Sequence, residues 1–170
     1  MLKILVQAIV ENKADNYGQE VNRLGSEAQK LLGRLTSQVT NNAQVWEVYA
    51  DLVASNSDTE TSTTATFRVA QLMQKSYRSA IQEKNWEKDV ESCTFTLRLC
   101  RKYVESCLDL MNKDSSKENI QLASSSKLSL RSALSQVKLC YELDIPKEIK
   151  EVLDILECLQ RDLQDKLSSI

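Results

Sequence analysis

Three of the chain's five cysteines, Cys93, Cys100 and Cys107, recur at seven-residue intervals in CTFTLRLCRKYVESC. A thiolate can act as nucleophile, redox partner or zinc ligand, so this spacing is where chemistry would be sought first. On a helix, seven residues rise about 10.5 Å at ~1.5 Å each. A disulfide needs Cα atoms within ~7 Å, and zinc holds each sulfur at ~2.3 Å. No two of the three can therefore bridge within that helix, and one ion cannot gather them all. The chain also lacks a CxxC pair, the usual sequence mark of a zinc site. Seven residues make two helical turns, and Leu97, Val104 and Met111 share the same stripe. Cysteine there behaves as a small buried hydrophobe, so the three are expected to form a core stripe. Pairing with Cys140 or Cys158 on later helices stays geometrically open.

Other reactive constellations are sparse. Histidine is absent, which removes the commonest general base and the commonest metal ligand. Arg98, Arg101 and Lys102 read as a solvated helix face, because no loop or glycine turn aims a charged pair into a cleft. No GxxxxGK[ST], GxGxxG or GxSxG occurs, and three isolated glycines cannot build a phosphate-cradling loop. Catalysis, metals and cofactors are not expected. Trp46 and Trp86 sit beside apolar neighbours at helical spacing and are read as core anchors at helix starts rather than recognition residues. The stretch SDTETSTT offers hydroxyls for phosphorylation or docking, but it is read as a solvated insertion, the motif being too loose to mark a site.

The elements that position these residues must be helices. Among 170 residues there are only three glycines and one proline, while 42% are hydrophobic, which leaves few breaks for hairpins and enough apolar volume for one core. The first segment, Leu2 to Val10, is amphipathic and has no capping residue before it, as though a helix were entered part way; Met1 is expected to lie inside a longer protein. A second helix is expected from about Glu20 to Val39, burying Val21, Leu24, Ala28, Leu31, Leu32 and Leu35. Thr40, Asn41 and Asn42 supply cap-type side chains for a third that carries Trp46, Tyr49, Ala50 and Val53. Residues 55–64 are polar and read as a loop. Helical spacing resumes near Ala65 and falters at QEKN, a long helix is expected from Trp86 to about Asn112, and another from about Glu118 to Leu143, weakened by SSSK at 124–127. In the last, Pro146 suits a first turn, and Ile149, Val152, Leu156, Leu159, Leu163 and Leu167 alternate three and four apart.

Charge and cysteine usage restrict the setting. The 22 basic and 24 acidic residues are well mixed and give a net charge of −2, so no field of one sign draws nucleic acid or anionic lipid. No apolar run approaches the ~20 residues needed to span a bilayer. An odd number of cysteines within helices fits a reducing compartment, cytoplasmic or nuclear.

Residues 42–85 have the form of one tetratricopeptide repeat, with Trp46, Tyr49 and Ala50 in the first helix, Val53 in the next apolar slot, and Tyr77 and Ala80 in the second. Met73 replaces the usual alanine, no proline closes the unit at Asn85, and an insertion lengthens its turn. The blocks LLGRLTSQVTNNAQVWEVYADL, NWEKDVES and KLSLRSALSQVKLCYEL, in this order and spacing, resemble the C-terminal part of the tetratricopeptide repeat protein 27 family, and LKILVQAIV is similar to the helix before it. This resemblance spans nearly the whole chain. It implies an all-α, degenerate solenoid end without catalysis, in which residues 1–41 form a helical hairpin continuing an upstream array. Residues 42–85 are then the helix pair with its insertion loop 55–64, and 86–170 the capping helices. It further implies a cochaperone-like scaffold that binds proteins during complex assembly or maintenance and packs on its own upstream repeats; it assigns no binding residues. Two other readings stay open: an autonomous bundle that oligomerises through the C-terminal helix, and a cysteine-dependent metal or redox protein.

Overall fold

Apolar residues three and four apart, with capping side chains between them, divide the chain into helices. A computed structural model describes residues 26–28, 30–35, 42–56, 63–83, 86–142 and 144–169. Residues 26–28 and 30–35 are helical. They are followed by α1 (Ala43–Asn56), α2 (Thr63–Ile81), α3 (Val90–Lys113), α4 (Lys117–Cys140) and α5 (Lys147–Ser168). No strand occurs among the described residues. The expectations for Leu2 to Val10, Val21, Leu24, Thr40 and Asn41 fall outside them.

Local chemistry sets the helix starts. Asn42 Oδ1 accepts the Val45 N–H at 3.1 Å and opens α1, while Asp89 Oδ2 accepts the Ser92 N–H at 2.8 Å and opens α3. The Asp89 cap shortens the long helix relative to expectation: α3 begins at Val90, and Trp86 sits in the preceding turn, still buried against the core. The loop expected over 55–64 is shorter at both ends. Ser55 and Asn56 close α1, with Ser55 Oγ bonding the Asp51 carbonyl at 2.8 Å, and α2 already begins at Thr63.

The serines at 124–126 do not break α4. Ser126 is buried with its hydroxyl on the Ala123 carbonyl at 2.8 Å, and Ser125 Oγ accepts from Gln74 of α2 at 3.1 Å. The Ser125 hydroxyl thus has a tertiary partner, while that of Ser126 bonds back to its own helix without interrupting it. Pro146 stands at the N-cap of α5, one place before the first turn, where its missing N–H is harmless.

Neighbouring helices run antiparallel. Ser76 near the end of α2 bonds the Ala43 carbonyl at the start of α1 (2.7 Å), and Arg68 bonds the Tyr49 hydroxyl (2.8 Å). Between α2 and α3, Gln74 reaches the Tyr103 hydroxyl (2.8 Å) and Lys113 reaches Thr66 (2.9 Å). Tyr103 then donates to the Leu122 carbonyl of α4 at 3.2 Å. The last helix, α5, lies against α3 and α4 together. One continuous core runs from Ala28 to Leu163. Ala28 and Leu32 enter it, whereas Leu31, expected inside, is 52% exposed, being turned ~100° from Leu32. From α5, Ile149, Leu153, Leu156 and Leu163 are buried, with Val152, Leu159 and Leu167 packed beside them. The heptad-like stripe of α5 therefore faces its own chain.

Candidate functional site

Cys93, Cys100 and Cys107 lie along the buried side of α3 with no exposed surface, beside Leu97, Val104 and Met111. All five cysteines are free thiols, Cys140 and Cys158 being exposed. Burial pushes the Cys93 thiol up to about 11 and those of Cys100 and Cys107 up to about 12. At neutral pH they are protonated and poor nucleophiles. Among the described residues no three His, Cys, Asp or Glu side chains converge as metal ligands.

The six positions of the helix-pair pattern come together in the core. Trp46, Tyr49, Ala50 and Val53 on α1 and Tyr77 and Ala80 on α2 are all buried. Cations fasten the aromatic ones: Lys75 Nζ stands 4.8 Å over the Trp46 ring and the Arg68 guanidinium 5.7 Å over Tyr49. Tyr77 donates to the Ser129 carbonyl of α4 at 3.3 Å, and its ring stacks on Tyr103 at 6.4 Å. Burial raises both tyrosine pKa values far above the ordinary range. These phenols serve as donors that tie α2, α3 and α4.

The polar face of α3 is less solvated than the expectation for Arg98, Arg101 and Lys102. Lys102 reaches across to α1, with Nζ 2.8 Å from Glu47 Oε1 and 3.4 Å from Asp51 Oδ1. Glu47 is 4% exposed, and its Oε2 has no hydrogen-bond partner among the described residues. Burial disfavours the Lys102 charge, yet the hydrogen bond to Glu47 and the field of Asp51 outweigh it and raise its pKa. Arg101 pairs with Glu105 one turn on, at 2.7 Å. Arg98 makes no ion pair among the described residues and rests its guanidinium 5.5 Å over the Phe95 ring.

Arg98 and Phe95 form the floor of an open groove of about 970 Å³. Among the described residues its lining comes from the start of α1 (Asn42 to Gln44), from Glu83 just after α2, from Asp89 and α3 as far as Arg98, and from Glu148 at the start of α5, with none from within α2 or α4. On α3 the contributors Val90, Glu91, Ser92, Thr94, Phe95 and Arg98 place the groove around the start of the helix. Glu83, Asp89, Glu91 and Glu148 stand around it. The Asp89 carboxyl is held below the usual carboxylate range because it accepts the Ser92 N–H. Such a surface offers an aromatic ring, a guanidinium and several carboxylates.

Sequence reasoning missed Glu47, Asp51 and Phe95. Phe95 had a local signal, its i,i+3 relation to Arg98. Glu47 had none, being 55 residues from the lysine it pairs with. No protein-family model matches this chain, and no solved structure matches it at a significant level.

Proposed function

We propose that this chain is a non-catalytic protein-binding scaffold: the degenerate, repeat-like end of a helical solenoid, of the kind found at the C-terminus of the tetratricopeptide repeat protein 27 family. The observation that carries the reading is the alternation at the groove. Residues of α1, α3 and the first turn of α5 line it, and among the described residues none within α2 or α4 does. Stacked helix pairs produce that arrangement, with the first helix of each pair facing the ligand. The outer face of α5, with Lys150, Asp154 and Arg161 exposed, supports a capping role, since a terminal element must offer water a polar side.

In this reading residues 42–85 are one helix pair, α3 and α4 a second, and α5 the closing helix. The helical residues before α1 join an upstream repeat array. Partners are protein segments bound during complex assembly or maintenance, and the free thiols fit the cytoplasm or nucleus.

Photo-crosslinking tests it. A photoreactive residue in place of Thr94, beside Arg98, is expected to give discrete adducts with other proteins in cells. The same residue in place of Asp154, on the outer face of α5, is expected to give none. Equal labelling at both positions, or none at Thr94, overturns the reading.

A further inference from the structure

Two stripes of side chains meet between α3 and α4. On α3, Cys93, Leu97, Cys100, Val104, Cys107 and Met111 are buried at alternating spacings of four and three. On α4, Asn119, Ala123, Ser126, Leu130, Ala133 and Val137 follow the same alternation. Cys140, the last residue of that helix, takes the next place in the series. The helices are antiparallel neighbours, and across them the Cys107 thiol and the Ser126 hydroxyl share a hydrogen bond.

That bond sets the register. Cys93 lies two seven-residue repeats back along α3 from Cys107, and Cys140 lies two repeats forward along α4 from Ser126. Equal steps of ~21 Å in opposite chain directions reach the same level and turn both stripes in the same sense. Cys93 therefore faces Cys140 as Cys107 faces Ser126. The electrostatics agree: burial is the main cause that raises the Cys93 thiol, and Cys140 comes next, ahead of Glu87 and Asp89. Tyr141, raised first by burial, has Cys93 as its next cause. The other thiols keep different company. Cys100 hydrogen-bonds Tyr77 of α2, and Cys158 accepts from Arg161 Nη2 at 3.2 Å on α5.

The facing thiols differ in access, Cys140 being exposed and Cys93 having no exposed surface. We propose that they form a redox site, in which Cys140 meets a small disulfide oxidant such as oxidised glutathione and Cys93 resolves the product into a disulfide that joins α4 to α3. In the first step the Cys140 thiolate attacks one sulfur of the oxidant, which releases one glutathione thiolate and leaves a mixed disulfide on Cys140. Cys93 then gives up its proton and attacks the Cys140 sulfur. The bond from Cys140 to glutathione breaks, and the second glutathione leaves and takes up a proton. Two protein thiols have lost two electrons, and one small disulfide has become two thiols. Because Cys93 is buried and protonated at neutral pH, the second step is the slow one. The bond pins the last turn of α4 to the turn of α3 that carries Thr94 and Phe95 of the groove lining. The inference rests on the two helices alone, whether or not the groove binds protein.

Thiol mapping of the folded chain tests it. The protein is equilibrated in glutathione redox buffers without denaturant, free thiols are blocked on acid quenching, and peptides are identified by mass spectrometry. The wild type is expected to yield the Cys93 peptide joined to the Cys140 peptide within one monomeric chain, with a loss of two hydrogens that dithiothreitol reverses. C93A is expected to stop at the mixed disulfide on Cys140, C140A to leave Cys93 reduced, and C158A to form the bond as the wild type does. The wild-type map decides even if a variant fails to fold. The proposal fails if wild-type Cys140 carries glutathione while Cys93 stays reduced. It also fails if Cys140 pairs instead with Cys158 or with another chain, or if Cys93 in C140A oxidises as fast as in the wild type.

Discussion

Cys100 shows what a residue's surroundings do to its chemistry. An exposed thiol titrates at ~8.5, whereas burial pushes Cys100 and Cys107 up to about 12 and Cys93 up to about 11. Between these values the unfolded chain releases thiol protons that the folded chain retains, so the unfolded state binds fewer protons and stability falls as pH rises. The stabilisation is complete below ~8.5 and declines above it, each buried thiol removing up to ~1.4 kcal/mol per pH unit. Urea unfolding at pH 7, 9 and 10.5 should show this decline, and C100A should make it shallower; a C100A slope equal to the wild type's would contradict the assignment. The stripe itself was legible because a seven-residue repeat fixes one helix face whatever the fold around it. Which side of α3 met water was legible only in part: Arg98 and Arg101 lie on the open face, but Lys102 turns inward to Glu47.

That inward turn is an effect at the scale of elements, since Lys102 and Glu47 clamp α3 to α1. A buried carboxylate stripped of its cation is expensive. K102M is expected to destabilise by about 2 kcal/mol, below the full cost of a broken buried pair, because Lys102 keeps 34% of its side chain in solvent. E47Q/K102M should recover most of that loss, so a double-mutant cycle reads the coupling directly. Strict additivity of the two changes would show that the pair does not hold the helices together. Helix existence was readable from periodicity, as in Val90 to Lys113. Helix ends were less so, because the Asp89 cap competes with the apolar run that begins at Trp86, and burial of Ser126 with the Gln74–Ser125 bond accompanies α4 through its serines.

For the whole molecule, the decisive packing is α5 against α3 and α4. Ile149, Leu156 and Leu163 are fully buried, and truncating one such leucine to alanine costs about 2–5 kcal/mol. L156A is expected to lower stability within that range while leaving the mass in solution unchanged. Deletion of residues 146–170 should abolish cooperative unfolding by uncovering the α3 core. A truncated chain that melts as the full one does would mean that α5 is an appendage. The sequence by itself determined that this chain is helical, where its apolar stripes run, and that its three spaced cysteines cannot share one metal ion, because helix geometry converts spacing into distance without help from the rest of the fold. Only the tertiary structure decided what each stripe faces. The leucines of α5 read equally well as a coiled-coil seam or as core, and Leu31 scans like a buried position yet is 52% exposed. Exposure is a property of neighbouring helices, and no local pattern specifies which neighbours arrive.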